Sequence, residues 1–412
     1  MGLLRFLKCA VNCVAIFAVF VTVILVLPGL PPHNIQFTSY DVPPTKRLEG
    51  PLKINRKLDN AEKLFENILK GPESLVYHDG VLYTGVHGGQ VVKIIDNNLI
   101  PFVKFGKPCN GIHEEHICGR PLGLHIDSKN NLYVADAYYG IFKVNISTGE
   151  SIQLVSPDTV IEGRKPKLFN SITVASDGKI YWTDSDSNFD LKNLVFTTFA
   201  DGTGRLLRYD PVTKTNTVLM DRLHFANGVA LAADESYILV AETFKFRIMR
   251  YFLRGQKKGR SDIFVDGLPG NPDNLKIDNQ GNFYVALVIA REDDQAPALI
   301  LHIGKYPLLR KFLSRSLALI QTGLTLADSI FPHIYLKKAI HASAHAETLM
   351  PLLPQIQRVT IVKLNKEGEI IDSLHSIDGL ISGICEVEFV NNYIYLASPF
   401  NHYLARVKLN KF

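Results

Sequence analysis

The chain has 412 residues, of which 46% are hydrophobic and 21% are charged, a composition typical of a globular protein with one large domain or two. Its formal net charge is +5, and its lysine and arginine residues are scattered along the sequence. No basic stripe is interleaved with aromatic residues, so the composition predicts no nucleic-acid partner.

The first predicted element is an apolar helix near the N-terminus. Residues 9–27 carry no charge and, as a helix, are about long enough to cross the hydrocarbon core of a bilayer. No small-x-small cleavage site follows them, which favours an uncleaved signal anchor over a cleaved signal peptide. Because Arg5 and Lys8 precede the span, residues 1–30 are predicted to form a cytosolic tip and a transmembrane anchor. Residues 31–70 then form a lumenal linker and lead-in segment.

This topology predicts a single-pass type II membrane protein whose main domain is extracellular or lies in the lumen of the endoplasmic reticulum. In such a compartment, Cys109 and Cys118 can close a disulfide over the polar loop NGIHEEHI. The alternative is a zinc site formed with His113 and His116, although that spacing matches none of the usual zinc patterns. Asn145, in the sequence NIS, is an acceptor for N-glycosylation if it faces the lumen.

Six strand-rich blocks recur along the rest of the chain. Each begins with small or polar residues, continues with alternating apolar residues and a turn rich in Asp, Asn and Gly, and ends in an aromatic-aliphatic strand. The blocks occupy residues 71–85, 119–136, 169–184, 225–242, 270–286 and 381–398. Six units of about four short strands predict an all-β fold, namely a six-bladed β-propeller over residues 71–412.

The gap between the fifth and sixth blocks is longer than the others and indicates an insertion at about 291–357. Within residues 306–321, apolar residues recur at helical spacing with basic residues between them, which predicts one or two amphipathic helices. We expect these helices to join the fifth and sixth blades and to lie over one mouth of the propeller. They either pack on the blades as a cap or touch the membrane surface and admit lipophilic substrates.

The opening residues of the six inner strands are expected to converge on the propeller axis. At these positions the blocks place oxygen-bearing side chains: Glu73, Asn170, Asn227, Asp273 and Asn274. Two carboxylates and up to three amide oxygens, with no histidine or cysteine nearby in sequence, are a ligand set that suits Ca²⁺. Without a metal, two facing buried carboxylates are costly, and one of them takes up a proton. The alternatives are that each side chain caps its local backbone, or that the cation has a structural role only.

Motifs along most of the chain resemble the strictosidine synthase-like family. They are GPESL, CGRPLGL, YWTDS, GRLLRYDP, ANGVAL, VAETFKFRI and GNPDNLKID, in the same order and at the repeat spacing. The resemblance covers about 40–290 and 358–410, and the family is similar in fold to the paraoxonases and other calcium-dependent lactonases. It implies a calcium ion at the same five residues and an arylesterase or lactonase activity on a small-molecule ester or lactone.

Two positions depart from the pattern that the resemblance implies. The strictosidine synthases carry an acid/base glutamate on the last inner strand, where this chain has Cys385 followed by Glu386, so alkaloid synthesis is not expected. The paraoxonases carry a histidine at the start of the second inner strand, where this chain has Leu122. The catalytic role is therefore assigned to Asp273. The alternatives for this role are the histidines His87, His125 and His224. The rival function is a non-enzymatic receptor or adhesion propeller stabilised by calcium.

Overall fold

The strand-rich blocks form six four-stranded antiparallel sheets in the computed structural model, which describes residues 2–292, 303–345 and 356–409. The hairpin turns follow the local sequence. For example, Asp79 and Gly80 form the two-residue connection of the first hairpin, and both have positive φ angles of 45° and 82°. Aspartate and glycine tolerate this left-handed conformation, which matches the turn to the twist of the flanking strands.

The first three sheets follow one another in the chain. Sheet I contains β2 (Leu75–His78), β3 (Val81–Val86), β4 (Gln90–Ile95) and β5 (Asn98–Lys104). Sheet II contains β6 (Pro121–Ile126), β7 (Asn131–Asp136), β8 (Gly140–Asn145) and β9 (Ser151–Val155). Sheet III contains β10 (Phe169–Val174), β11 (Ile180–Asp184), β12 (Gly204–Asp210) and β13 (Thr215–Leu223).

The last three sheets include one that joins both ends of the described chain. Sheet IV contains β14 (Ala226–Leu231), β15 (Tyr237–Glu242), β16 (Arg247–Phe252) and β17 (Ser261–Val265). Sheet V contains β18 (Gly270–Ile277), β19 (Phe283–Ala290), β20 (Val359–Leu364) and β21 (Ile370–Ser376). Sheet VI contains β22 (Glu386–Val390), β23 (Tyr393–Ala397), β24 (Leu404–Lys408) and, at its outer edge, β1 (Glu62–Leu64).

The sheets are arranged in a ring. The first strand of each sheet contacts the first strand of the next, and β22 of sheet VI contacts β2 of sheet I. Strand β1 pairs with β24, so the segment before the first repeat completes the last sheet. The apolar core lies between the faces of adjacent sheets; Leu239 of sheet IV, for instance, shares a cluster with Phe283 and Val285 of sheet V. Burying one such side chain contributes about 1.5–3 kcal/mol.

Helices occur at the N-terminus, in two loops and in the insertion. Over residues 2–292, 303–345 and 356–409, the α-helices are α1 (Gly2–Val26), α2 (Glu115–Cys118), α3 (Leu194–Phe199), α4 (Pro307–Ile330) and α5 (Ile334–Ala344). Short 3₁₀ turns lie at Gly50–Leu52, Ile112–Glu114, Leu191–Asn193, Thr243–Lys245 and Ile303–Lys305. Helix α1 includes Arg5–Val26, which by length and composition can cross a membrane.

The insertion lies at a different place from the predicted one. It leaves from the end of β19 and returns at β20, and these two strands pair from Phe283 with Leu364 to Leu287 with Thr360. The insertion is therefore a long hairpin loop inside sheet V rather than a connection between the fifth and sixth sheets. The prediction was wrong because β20 and β21, which follow the insertion, complete sheet V. Parts of the predicted range 291–357 lie outside the described residues.

Candidate functional site

Four of the five predicted ligand residues line one cavity of about 180 Å³ at the ends of the inner strands. They are Glu73, Asn170, Asn227 and Asp273, and all four side chains are buried. They come from sheets I, III, IV and V, so residues 200 positions apart in the chain (Glu73 and Asp273) meet at one place. We call the place where they meet the hub. The fifth residue, Asn274, is buried beside Glu73 and does not line the cavity.

A local irregularity explains why polar residues stand in the inner strands. In β10, β14 and β18 the pairing register shifts between Phe169 and Ile172, between Ala226 and Val229, and between Pro272 and Leu275. Asn170, Asn227 and Asp273 lie inside these interruptions. A β-bulge leaves a residue outside the regular ladder and re-aims its side chain, which suits a polar group at the mouth of a ring of sheets.

Glycine residues let neighbouring inner strands approach each other at the hub. A Cβ atom on Gly123 would lie 2.5 Å from the carbonyl oxygen of Asn170, and one on Gly228 would lie 2.5 Å from that of Asp273. Both distances are too short for any other residue type without backbone movement. The sequence therefore places glycine where the backbones of sheets II and III, and of sheets IV and V, are closest.

Threonine hydroxyls link the hub residues of adjacent sheets. Thr183 Oγ1 donates to the carbonyl oxygen of Asn227 at 2.8 Å, and Thr243 Oγ1 donates to that of Pro272 at 2.8 Å. Thr243 Oγ1 also accepts a hydrogen bond of 3.2 Å from Asn227 Nδ2. Because Nδ2 is held in this way, the Oδ1 atom of Asn227 is oriented by the protein rather than by solvent.

Within the part of the chain that the structure describes, three oxygen atoms at the hub are buried and have no hydrogen-bond partner. They are Glu73 Oε2, Asn170 Oδ1 and Asn227 Oδ1. Leaving a buried acceptor unsatisfied costs about 1–3 kcal/mol, and more when the group is charged. Together with the carboxylate of Asp273, these oxygens fit a hard divalent cation such as Ca²⁺, which takes only oxygen ligands of this kind.

The carboxylates at the hub repel one another in the metal-free chain. Burial raises the pKa of Glu73 well above its usual value, and the nearby charges of Asp273 and Glu386 raise it further. Burial also raises the pKa of Asp273 to about 7, with a contribution from Glu386. Within the described residues no group of three or more His, Cys, Asp or Glu side chains is placed to hold a metal. The hub set instead combines two carboxylates with amide oxygens.

The last inner strand brings a third carboxylate near the hub. Glu386 is buried at the start of β22, burial raises its pKa to about 7, and Ser74 Oγ lies 3.5 Å from its Oε2 atom. Cys385 is buried one position earlier, with its sulfur 3.5 Å from the carbonyl oxygen of Glu73. Neither residue lines the cavity, whereas Leu122 does.

The walls of the cavity are apolar and come partly from loops. The side chains belong to sheet ends, to the segment around α3 and to β19, and include Leu122, Leu194, Val195, Phe225, Phe244, Val288 and Phe400. Helix α4 closes over α3, because Arg310 Nη1 donates to the carbonyl oxygens of Phe199 (3.0 Å) and Ala200 (3.2 Å). The cavity therefore combines apolar walls with the oxygens of the hub.

Three charged or titratable residues of the cavity wall were not predicted. Arg120 precedes β6, Glu115 lies in α2, and His345 follows α5, and all three are buried and line the cavity. Arg120 stands inside the quoted motif CGRPLGL, but neither its burial nor the approach of His345 from the insertion is visible in the sequence. Their placement depends on how loops fold over the ring.

None of the three alternative histidines lines the cavity. Burial lowers the pKa of His87 and of His224 to about 3 and that of His125 to about 4. His87 Nε2 lies 3.2 Å from the carbonyl oxygen of Pro399, and the ring of His224 packs 4.3 Å from that of Tyr40. These contacts fit structural histidines that stay neutral.

The predicted disulfide between Cys109 and Cys118 is confirmed, with a Cα–Cα distance of 5.5 Å. It leaves no thiolate for the alternative zinc site. Asn145 is exposed at the end of β8, and its Oδ1 accepts hydrogen bonds from the backbone N–H groups of Ser147 (2.8 Å) and Thr148 (3.2 Å). The acceptor position is therefore accessible on the surface.

Comparisons with known proteins support the family resemblance that the sequence motifs indicate. The chain matches the strictosidine synthase family over residues 170–256 and the N-terminal strictosidine synthase-like family over residues 50–94. It is 41% identical to the adipocyte plasma membrane-associated protein hemomucin of Drosophila melanogaster, over 96% of this chain and 69% of that protein. It is 38% identical to the adipocyte plasma membrane-associated protein of Gallus gallus, over 92% of this chain and 84% of the other.

Among solved structures, a gluconolactonase from Xanthomonas campestris matches with a TM-score of 0.54 and 12% identity, over 93% of this chain and 99% of that one. A structure described as a putative gluconolactonase matches with a TM-score of 0.50 and 12% identity, over 85% of this chain and 93% of that one. At this identity the likeness concerns the fold alone. The relatives from Drosophila and Gallus, in contrast, match over nearly the whole length of the chain, and the chain therefore belongs to the strictosidine synthase-like family, with the adipocyte plasma membrane-associated proteins.

Proposed function

We propose that this protein is a membrane-anchored, calcium-dependent hydrolase of aryl esters or lactones, built as a six-bladed β-propeller. The observation that carries the proposal is the set of three buried, unpartnered oxygens, Glu73 Oε2, Asn170 Oδ1 and Asn227 Oδ1, at one apolar cavity. A purely structural hub has no need of an adjoining cavity, whereas a hydrolase needs both a charged centre and space for its substrate.

We assign calcium binding to Glu73, Asn170, Asn227 and Asp273. Asn274 is the fifth ligand and contributes through Oδ1, because its Nδ2 atom donates to Glu73. When bound, calcium would act as a Lewis acid that polarises the ester carbonyl. The apolar walls would exclude bulk water and hold the acyl or aryl group. Asp273 would take a proton from the attacking water and return it to the alkoxide or phenoxide oxygen when the C–O bond of the ester breaks. The likeness in fold to gluconolactonases is compatible with this reaction type.

We further propose a type II orientation, with the ring of sheets extracellular or in the lumen of the endoplasmic reticulum. The insertion connects the anchor to the cavity: Arg315 Nη1 donates to the carbonyl oxygens of Ile24 (2.8 Å) and Leu27 (3.0 Å), and Phe312 packs against Phe20 with ring centroids 6.2 Å apart. Several apolar side chains of the insertion are exposed, namely Leu308, Ile320, Leu326, Ile330, Phe331 and Tyr335. We propose that they contact the membrane surface and admit lipophilic substrates.

The proposal is tested with the full chain in lipid nanodiscs and a panel of phenyl acetate, 4-nitrophenyl butyrate and δ-valerolactone. Wild-type protein is expected to hydrolyse at least one of them, and EGTA is expected to abolish this until calcium is restored. Asp273→Ala is expected to be inactive, while Asp210→Asn, at the half-buried end of β12 outside the cavity, keeps wild-type rates.

A different result identifies the rival function. If no ester or lactone is turned over while EGTA lowers the melting temperature, the cation has a structural role only. The protein is then a calcium-stabilised receptor or adhesion protein of the same family, and the hydrolase proposal is wrong.

A further inference from the structure

The cavity contains a buried arginine whose terminal nitrogens have no acceptor. Arg120 stands directly before β6, lines the cavity beside the hub and is 2% exposed. In the described part of the chain, its Nη1 and Nη2 atoms make no hydrogen bond. A guanidinium group is always charged and carries its donors in a planar fork, so a buried fork without an acceptor is a costly arrangement in the absence of a ligand.

The neighbouring carboxylate does not occupy this fork. Glu115 Oε1 lies 3.4 Å from Arg120 Nε, and neither oxygen of this carboxylate makes a hydrogen bond with Nη1 or Nη2 within the described residues. The other carboxylate oxygen of Glu115 accepts a hydrogen bond of 3.2 Å from the Tyr138 hydroxyl and lies 3.7 Å from His345 Nε2. Glu115 therefore holds the arginine through Nε and leaves Nη1 and Nη2 available.

A glycine allows the arginine to pack closely against the backbone. Gly71 has a φ angle of +59°, and a Cβ atom at this position would lie 2.8 Å from Arg120 Nη2 and 2.0 Å from the ring of His87. Any larger residue would displace the guanidinium or the imidazole. Glu115, Tyr138 and Gly71 thus fix where the arginine lies.

We propose that Arg120 binds the carboxylate group of a small amphipathic ligand whose apolar part lies against Leu122, Phe225 and Phe244 of the cavity wall. Two parallel N–H donors match the two oxygens of a carboxylate, and such paired, charge-assisted hydrogen bonds are strong in a buried site. The apolar wall then selects an aromatic or aliphatic body. This inference rests on the proposed function in taking the same cavity as the binding site. It assigns to Arg120 the carboxylate that hydrolysis of an ester or lactone produces, or a carboxylate substituent that the substrate already carries.

The test compares two probes with the same carbon skeleton, 3-phenylpropanoate and 3-phenylpropan-1-ol. Their affinities for the calcium-loaded full chain in nanodiscs are measured by isothermal titration calorimetry, with empty nanodiscs subtracted. The variants are Arg120→Met, which removes the fork, and Arg120→Lys, which keeps the charge. Arg250→Met is the matched control, because this arginine pairs with Asp262 at 2.9 Å and lies outside the cavity.

Wild-type protein is expected to bind the carboxylate at least about tenfold more tightly than the alcohol. Arg120→Met is expected to remove this difference by lowering the affinity for the carboxylate alone. Arg120→Lys is expected to restore part of the difference, and Arg250→Met is expected to change neither affinity. Should Arg120→Met fail to fold because Glu115 is left buried without a cation, the double variant Arg120→Met/Glu115→Gln replaces it, with the same expected loss.

The inference is overturned if wild-type protein binds neither probe, binds the alcohol as tightly as the carboxylate, or loses both affinities equally in the variants. These outcomes are separate from those of the proposed function. An enzyme that hydrolyses esters without this discrimination refutes only the role of Arg120. If the protein binds the carboxylate more tightly than the alcohol but hydrolyses no ester or lactone, only the hydrolase proposal is refuted.

Discussion

Asn274 Nδ2 donates a hydrogen bond of 2.9 Å to Glu73 Oε1, although the two residues are 201 positions apart in the sequence. The bond joins the inner strand of sheet V to the segment that leads into sheet I. It occupies one oxygen of the Glu73 carboxylate and leaves Oε2 without a partner. The protein therefore supplies a hydrogen-bond donor to only one of the two carboxylate oxygens of Glu73. A cation at the hub would interact with the other oxygen and would link sheets that are distant in the chain.

Asp273→Asn is expected to change the metal-free and the calcium-loaded protein in opposite directions. In the metal-free protein the variant removes a buried carboxylate that repels Glu73 and Glu386, so we expect an increase in stability of about 1–3 kcal/mol at pH 7.5. With calcium present, the variant lacks a charged ligand. We therefore expect its calcium affinity to fall at least about tenfold, which is a loss of about 1.36 kcal/mol in binding free energy.

Urea unfolding of both proteins in EGTA and in calcium measures these two effects. Asp210→Asn, at the half-buried end of β12 outside the cavity, is the matched control and is expected to behave as wild type in both conditions. If Asp273→Asn destabilises the metal-free protein, repulsion among the hub carboxylates is not what limits its stability, and the calcium assignment loses its main electrostatic support.

The meeting of Asn170, Asn227 and Asp273 at the hub was predictable because the repeat fixes their positions. Asn170, Asn227 and Asp273 stand at the same place in three blocks, and the start of an inner strand has only one location in a ring of sheets. The β-bulges that aim these side chains were not predictable. A bulge is defined by the residues opposite it on the paired strand, and the alternation of apolar residues continues on both sides of it.

The contributions of the loops were out of reach for a different reason. His345 reaches the cavity only because the insertion is a hairpin loop within sheet V, whereas a connection between sheets would place it elsewhere. The repeat spacing could not distinguish these two arrangements, since β20 and β21 have the same alternating pattern as any outer strand pair. Arg120 was visible in a motif, but its free guanidinium nitrogens are a property of the tertiary structure.

Helix α5 is expected to detach from the ring as the pH falls. His341 packs against His345 with ring centroids 4.2 Å apart, and burial lowers the pKa of His341 to about 4, with further lowering by His345, His113 and His116 and an opposing effect of Glu115. The ordinary pKa of histidine is about 6.5. Between these two values the detached helix binds more protons than the docked one, so docking is full above about pH 6.5 and weakens as the pH falls toward 4.

Hydrogen exchange of residues 334–344 at pH 7.5 and pH 5, corrected for the intrinsic rate, measures this effect. Protection is expected to fall at pH 5 in wild-type protein and to fall less in His341→Phe, which keeps a stacked ring without a titrating group. His402→Gln, at an exposed position in the loop between β23 and β24, is the control. Identical pH dependence in His341→Phe and wild type would show that His341 does not govern docking.

Removing the disulfide is expected to destabilise the protein moderately and to loosen the loop that carries Glu115. The double variant Cys109→Ser/Cys118→Ser opens a loop with a sequence separation of 9, for which the chain-entropy model gives a loss of about 2–3 kcal/mol. Urea unfolding measures the loss, and Cys385→Ser, at a buried free cysteine, serves as the comparison for the effect of the substitution itself. A change below about 0.5 kcal/mol would mean that the loop is held mainly by its contacts with α5.

The type II orientation predicts that Asn145 carries a glycan. Its side chain is exposed in a surface turn, so a transferase in the lumen has access to it. We expect endoglycosidase treatment of the protein from secretory cells to remove a mass of a single glycan, and Asn145→Gln to lack that mass before treatment. Ser147→Ala, which destroys the same sequon without changing Asn145, is expected to give the same result. An unmodified Asn145 in folded wild-type protein would contradict the proposed orientation.

The exposed apolar end of α4 is expected to matter for lipophilic substrates only. Ile330 is 60% exposed and Phe331 is 73% exposed, and α4 packs on the C-terminal end of the anchor helix through Arg315 and Phe312. The variant Ile330→Glu/Phe331→Glu places two charges where we propose contact with the bilayer. In nanodiscs it is expected to lower kcat/KM for 4-nitrophenyl decanoate by about tenfold and to leave that for 4-nitrophenyl acetate within about twofold, because only the long-chain ester partitions into lipid. Val212→Glu, at an even more exposed apolar position in the turn between β12 and β13, tests whether added charge alone has this effect. Equal losses for both esters would indicate that the insertion acts as a cap on the ring rather than as a contact with the membrane.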